Sequence, residues 1–264
     1  MRVFLKNMHK SWFSGIATPL AVTIFVPLIT AIWPEFKTQA SSFMELLKNP
    51  IYKAMLGDLI NADIGTWQGF FYMYIFMWMQ LVLLFVTIFV PARLITNEVD
   101  KRTLDITLSY PIPRWRYLLE KFCVYLAYNL LYPALIYSAT YLSTNALGET
   151  IDYTILNYSL IGVWFLFFAL GAISLLCGAV FLEGSRALAA SGALIIGQYI
   201  LVRFADVVES LNYLKKYTLF NYLDPAAILD LGRLPMDELL VVAGVGVVAL
   251  LAALYVFQKR ELAI

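Results

Sequence analysis

Six stretches of this chain are apolar over lengths that few soluble folds can accommodate: residues 15–33, 69–95, 122–142, 157–182, 187–204 and 237–258. The hydrocarbon core of a bilayer is about 30 Å thick, and a helix needs about 20 residues to cross it. Within that core no water satisfies the backbone, so each run is read as a helix that meets its own hydrogen-bonding needs. Composition agrees, with 61% of the 264 residues hydrophobic and 14% charged, against about 25% charged in soluble domains. The expected fold is therefore all-α and polytopic, one transmembrane domain of six spans. Six crossings return both termini to one side.

Charge then orients the spans. Residues 91–121 form a loop between the second and third runs and carry Arg93, Lys101, Arg102, Arg114, Arg116 and Lys121. Short basic loops beside apolar spans stay on the cytoplasmic face. With the N- and C-termini inside, 12 of the 19 Lys and Arg face the cytoplasm but only 6 of the 18 acids do. Residues 1–13 are basic and amphipathic, with Val3, Phe4, Met8 and Trp12 against Lys6 and Lys10. They are expected to form an interfacial helix leading into the first span. That span is read as retained rather than cleaved, because the small-x-small site at Thr38–Ala40 lies beyond Glu35 and Lys37. Pro19 and Pro27 are expected to bend it or set its ends. Residues 34–67 read as a polar insert, with Ser42 and Glu45 in capping-box spacing.

The basic loop also carries an ordered pattern. Leu104 and Leu108 lie four apart beside Thr107, with Asp100, Lys101 and Asp105 on other faces, until Pro111 and Pro113 end the helix. Glu98, Arg102-Thr103-Leu104, Leu108-Ser109, Pro111-Ile112, Arg114, Tyr117-Leu118 and Lys121 resemble the E…GTL…LLS-P-IS-R…LL-GK signature of ABC-2 type transporter permeases, the transmembrane subunits of type V-like exporters. Arg102 stands where that family often has Gly, which leaves the local turn geometry open. The outer YLDPAAIL run at 222–229 and the tail at 257–262 resemble other segments of the same family. Asp224 there reads as an N-cap, with Pro225 at the first helical position and Gly232 at the stop.

The resemblance implies a coupling helix over residues 97–110, seated on a separate ATPase. Glu98, Arg102, Thr103, Leu104, Leu108, Pro111 and Arg114 are its contact candidates. It implies a dimer of permease chains, homo- or heteromeric, over two ATPase copies in the cell membrane, exporting a hydrophobic or amphipathic substrate such as a lipid, drug or peptide. ATP and Mg would belong to the partner, and this chain would hold no cofactor of its own. The alternative is a membrane assembly or sensor subunit that transports nothing.

Catalytic patterns are missing from the sequence. His9 is the single histidine, so no paired-histidine metal site and no histidine triad can form. It reads as a solvated residue near the headgroups. No G-x-x-x-x-G-K-[ST] loop is present, so the chain cannot cradle nucleotide phosphates that way. Cys123 and Cys177 read as small packing residues. Basic residues gather at span ends rather than on one soluble face, which argues against nucleic acid.

Polar residues at membrane depth remain as pathway candidates. Met73, Gln80 and Thr87 share a face of the second span at seven-residue steps, as do Ser191 and Gln198 in the fifth. Hydrogen bonding between helices is the competing reading of the same pattern. Gly171, Ser174 and Gly178 form a small-residue stripe that signals close helix packing. Arg203 is expected at the outer end of the fifth span, snorkelling toward water. Asn129 is expected to satisfy backbone freed by Pro133.

Overall fold

The structure, a computed structural model, describes residues 2–47, 63–103 and 112–260, and these contain helices and connecting turns without a β-strand. In chain order the helices are α1 (Arg2–Thr23), α2 (Phe25–Leu47), α3 (Trp67–Phe71), a π-helical turn (Tyr72–Phe76), α4 (Met77–Asp100), α5 (Arg114–Asn129) and α6 (Leu131–Leu147). They continue with α7 (Tyr153–Phe181), α8 (Gly184–Val207), a 3-10 segment (Glu209–Tyr217), α9 (Leu219–Tyr222), α10 (Pro225–Leu231) and α11 (Met236–Lys259). Among the described residues, six stretches are long and apolar enough to cross a membrane: Gly15–Ala40, Trp67–Asp100, Arg114–Leu147, Tyr153–Phe181, Gly184–Asp206 and Met236–Lys259. The chain is thus an all-helical, multi-pass membrane protein.

Prolines account for the two interrupted spans. A helical proline cannot donate to the carbonyl four residues before it. Pro27 leaves the Thr23 carbonyl without that bond, and the first span breaks at Ile24 between α1 and α2. Pro133 does the same to Asn129, and the third span breaks at Leu130 between α5 and α6. Pro34 and Pro91 lie inside continuous helices, so a proline alone does not decide the outcome.

At Pro34 the structure corrects the reading of 34–67 as a separate insert. Helix α2 runs through to Leu47, so the capping-box spacing at 42–45 lies within a helix rather than at its start. The reason is aromatic packing on either side of the proline. Trp33 packs tilted against Phe70 with ring centroids 5.0 Å apart, and Phe36 packs tilted against the same ring at 4.5 Å. Such contacts hold the helix together where a hydrogen bond is missing. Helix α1 likewise runs unbroken from Arg2, so the basic amphipathic stretch and the start of the first span share one helix.

Helix α7 sits at the centre. Leu160, Val163, Leu166, Phe167, Ala169, Leu170, Ala172, Leu175 and Ala179 are all buried and spread around its circumference, the pattern of a helix packed on most sides. It packs against α4, α5 and α11 through small residues, as the Gly171–Gly178 stripe predicts. A side-chain carbon on Gly171 would lie 2.6 Å from the Tyr125 ring of α5, and one on Gly178 would lie 2.7 Å from the Ala92 carbonyl of α4. Between them the Ser174 hydroxyl donates to the Ile88 carbonyl at 3.0 Å. Within a bilayer such close contact replaces the hydrophobic drive that assembles soluble cores.

At the end opposite the basic loop, connecting segments are pinned by polar contacts. The Trp67 indole donates to Thr144 Oγ1 at 3.0 Å, and the Asp152 amide donates to Gln68 Oε1 at 3.1 Å. Glu149 accepts from Lys37 at 2.8 Å and from the Trp33 indole at 3.0 Å. Those two donors, Lys37 foremost, hold its carboxyl below the usual range.

Packing of this kind makes a paired prediction. Gly178→Ala forces a methyl onto backbone that cannot move aside, and overpacking costs about 1–3 kcal/mol. Gly192, on α8, has nothing within 4 Å of the corresponding position. Gly192→Ala should therefore leave thermal stability in detergent unchanged or slightly raised, while Gly178→Ala lowers it. Equal melting temperatures for the two variants would contradict this packing.

Candidate functional site

Two helices meet at the basic-loop end, and a buried charge pair joins them. Helix α4 delivers Glu98 from its last turn, and α5 delivers Tyr117 and Lys121 from its first two. Lys121 Nζ lies 2.7 Å from Glu98 Oε1 and donates to the Leu94 carbonyl at 2.7 Å. The Tyr117 hydroxyl donates to Glu98 Oε2 at 2.6 Å. The ammonium also sits 4.7 Å from the centre of the Tyr117 ring. Both carboxylate oxygens are thus engaged. The Lys121 side chain is only 6% exposed and that of Glu98 17%, so both charges are largely removed from solvent. A buried charge is tolerated when paired and hydrogen-bonded, and both conditions hold.

The turn after α4 resolves the geometry left open at Arg102. Its φ is +52°, the left-handed region in which glycine is at ease and other residues are not. The Arg102 amide donates to the Val99 carbonyl at 3.0 Å, and the Thr103 amide donates to the Glu98 carbonyl at 2.9 Å. This pair of bonds is the Schellman arrangement that ends helices. Glycine is the residue this turn suits best, and arginine occupies it at a cost in backbone energy. The loop's far side is braced as well. Arg114 Nη1 donates to the Arg260 carbonyl at 2.9 Å, the Trp115 amide donates to Gln258 Oε1 at 3.1 Å, and Arg260 donates to the Val180 carbonyl. These bonds join the start of α5 to the end of α11 and the end of α7.

Of the coupling candidates, Glu98 faces inward, Arg102 and Thr103 are exposed, and Arg114 is half-buried. Leu104, Leu108 and Pro111 lie outside the described residues, as does the second half of the 97–110 stretch.

The pathway candidates are not brought together. Gln80 is buried and accepts a hydrogen bond from Arg203 of α8. Thr87 and Ser191 are buried and turn their hydroxyls onto their own helices, to the Leu83 and Ala187 carbonyls at 2.6 and 2.8 Å. Met73 packs with Ile64 and Ala226. Gln198 accepts from the Leu219 amide at 3.1 Å and so ties α8 to the segment at 209–232. As read from the sequence, that segment contains a helix capped by Asp224, whose Oδ1 accepts from the Ala226 amide at 2.9 Å, and closed by Gly232.

Arg203 corrects the snorkelling expectation. It is 9% exposed and turned into the bundle, where Gln80, Asp206 at 3.4 Å and the Tyr199 ring at 5.2 Å receive it. Lys215 completes the cluster, 2.6 Å from Asp206. The signal lay in the spacing: Tyr199 precedes Arg203 by four residues and Asp206 follows by three, which puts all three on one face.

A cavity of about 380 Å³ opens beside the charge pair. It runs between α1, α4 and the third span, from Arg93, Glu98, Lys101 and Lys121 inward to Thr18, Asn129 and Tyr132. None of the five pathway candidates lines it. Asn129, expected to serve the backbone near Pro133, lies buried at the inner end of this cavity next to Tyr125.

Arg102 offers a direct test of the turn. Placing glycine in a left-handed position relieves about 1–2 kcal/mol. Arg102→Gly should raise the melting temperature of the purified chain, whereas Arg102→Ala, which keeps the strain, should not. A fall with Arg102→Gly would contradict the left-handed turn.

Comparison with known proteins agrees with this architecture. Residues 20–262 match the family described as ABC-2 family transporter protein. An uncharacterized membrane protein, YdbK of Bacillus subtilis (strain 168), is 25% identical over 169 residues, which cover 60% of this chain and 68% of that protein. No solved structure matches significantly. A family match that extends over nearly the whole length, on a bundle of six membrane-spanning helices, makes this chain a member of the ABC-2 transporter family.

Proposed function

We propose that the chain is the permease subunit of an ATP-driven exporter, with both termini and the basic loop on the cytoplasmic side. It pairs with a second permease chain and rests on two copies of a separate ATPase. ATP and Mg are held by that ATPase, and the permease itself contributes no catalytic group. Its cargo is hydrophobic or amphipathic, of the lipid, drug or peptide class.

The observation that carries the reading is the bracing around residues 101–113. Glu98 grips Tyr117 and Lys121 across the base of the loop, and Arg114 and Trp115 fasten its exit to the end of α11. A loop that only connected two spans would need no such frame. A loop that receives force from a partner would, because displacement at its tip must reach the spans without being lost in local flexing. The exposed Arg102 and Thr103, with Leu104 and Leu108 beyond them, are suited to seat in a groove of the ATPase, Leu side chains supplying the apolar contact.

The test is assembly with the ATPase. Removing a Leu side chain from a core-like groove costs about 2–5 kcal/mol. Leu104→Ala with Leu108→Ala should therefore strip the ATPase from the purified permease, or leave it bound with hydrolysis no longer linked to transport. Membrane insertion should be normal. Full ATPase retention and wild-type transport in this variant would overturn the coupling role. Failure of any ATPase to co-purify with the unaltered chain would favour the non-transporting assembly subunit.

A further inference from the structure

The cavity between α1, α4 and the third span has positive charge at its mouth that the described residues do not offset. Glu98 is the one acid lining it among them, and both its oxygens are taken, by Lys121 and Tyr117. That leaves Arg93 and Lys101, both exposed and both lining the cavity, with no acid in ion-pair range among the described residues. Arg93 lies 6.0 Å from the centre of the Phe89 ring, a contact that keeps its full charge. Arg116 and Arg186, at the same end of the molecule, are instead paired, with Glu120 at 3.1 Å and Glu183 at 2.8 Å. Asn97 also lines the mouth. It sits four residues from each cation, so the three descend one face of α4 over about 12 Å. Deeper in, the walls turn apolar: Val86, Val90 and Leu94 from α4, Val124 from α5. Helix α1 packs chiefly on α5 and α6, and the cavity is the gap it leaves against α4.

We propose that this cavity binds an anionic phospholipid of the surrounding bilayer, its phosphate at Arg93, Asn97 and Lys101 and one acyl chain along the valines. Basic pockets between spans suit such heads, because phosphate accepts charge-assisted hydrogen bonds from arginine and lysine together. Arg93 reaches the phosphate from the membrane side and Lys101 from the aqueous side, with the Asn97 amide donating between them. Apolar wall continues from Arg93 to Val86, seven residues or about 10 Å deeper. An acyl chain covers that wall, and a water-soluble anion leaves it bare. A zwitterionic head fits less well, since it brings a cation of its own and Glu98 is already engaged. The volume, near 380 Å³, is low in the range of small-ligand sites, about 300–1,000 Å³, which suits one chain while the other stays in the bilayer. Bound there, the lipid joins α1 to α4 beside the braced loop. The site does not depend on what the chain transports or on which face of the membrane it opens.

Native mass spectrometry of the purified full chain in detergent tests the proposal, with phosphatidylglycerol and phosphatidylcholine of identical acyl chains as probes. Phosphatidylglycerol should occupy one saturable site. Phosphatidylcholine should bind about fivefold more weakly, the worth of one charge near a membrane surface. Arg93→Gln with Lys101→Gln should weaken the anionic lipid about 25-fold, two such charges, and erase the preference. Arg116→Gln with Arg186→Gln removes equal charge from the same end, away from the cavity, and should leave binding unchanged. Val90→Trp fills the apolar part with both cations intact and should also lose the lipid. Val90→Phe gives the same reading should the larger ring disturb folding. Glycerol 3-phosphate, a head without its tail, should not compete. Its competition would make this a site for free phosphate and overturn the lipid. Absence of saturable binding, or equal affinity for the two lipids, overturns the proposal. So does a loss in the Arg116 and Arg186 control as large as in the cavity pair, which is general attraction of a basic surface for anions. Binding unmoved by filling at Val90 puts the lipid elsewhere and overturns it too.

Discussion

The ion pair between Glu98 and Lys121 holds together the end of the molecule on which the functional reading depends. Each residue alone would be an expense at that depth. A largely buried ammonium or carboxylate without a partner is strongly destabilising, and even a well-made pair often gains little over apolar residues of similar size. Its value here is positional. With the Tyr117 hydroxyl and the Leu94 carbonyl it satisfies all its members and fixes the end of α4 against the start of α5. The basic loop departs from one of these helices and returns to the other. Its two ends therefore cannot move independently, whatever the loop itself does.

Behind that frame, α7 transmits position by contact rather than by charge. Gly171 and Gly178 let it approach α5 and α4 until side chain meets backbone, and Ser174 adds a hydrogen bond to α4. Close-packed surfaces of this kind respond as units, since they deform little before they clash. The second buried polar cluster, Arg203 with Gln80, Asp206 and Tyr199, ties the fifth span to the second near the opposite end. The bundle is thus fastened at both ends by charged or amide side chains, with small-residue packing between them.

Much of this was legible in the sequence, and the physics explains which parts. Span number and the helical class followed from run length, because the bilayer imposes a thickness that packing cannot override. The Asp224–Pro225–Gly232 helix was readable because capping depends on residues within one turn. The small-residue stripe on α7 was readable for the same local reason. Side-chain direction was less accessible. Gln80, Thr87, Ser191 and Gln198 share faces by periodicity, but whether a hydroxyl bonds its own helix or a ligand depends on neighbours brought from elsewhere in the chain. Pro34 was misleading because the aromatic contacts that carry α2 through it come from residues more than thirty positions away. Glu98 is the instructive case. The motif marked it as a contact candidate, and the structure shows its carboxylate turned inward onto Tyr117 and Lys121.

A double-mutant cycle on Glu98 and Lys121 tests the central claim most directly. Glu98→Gln, Lys121→Gln and the double variant would be purified and their unfolding free energies compared with wild type. If the pair braces the loop, each single change leaves a charge uncompensated, and the double change costs less than the two together. The interaction energy would be about 1–3 kcal/mol, the range for residues in direct contact within one network. Strictly additive losses, or single variants as stable as wild type, would show that the two charges stand side by side without holding the helices together.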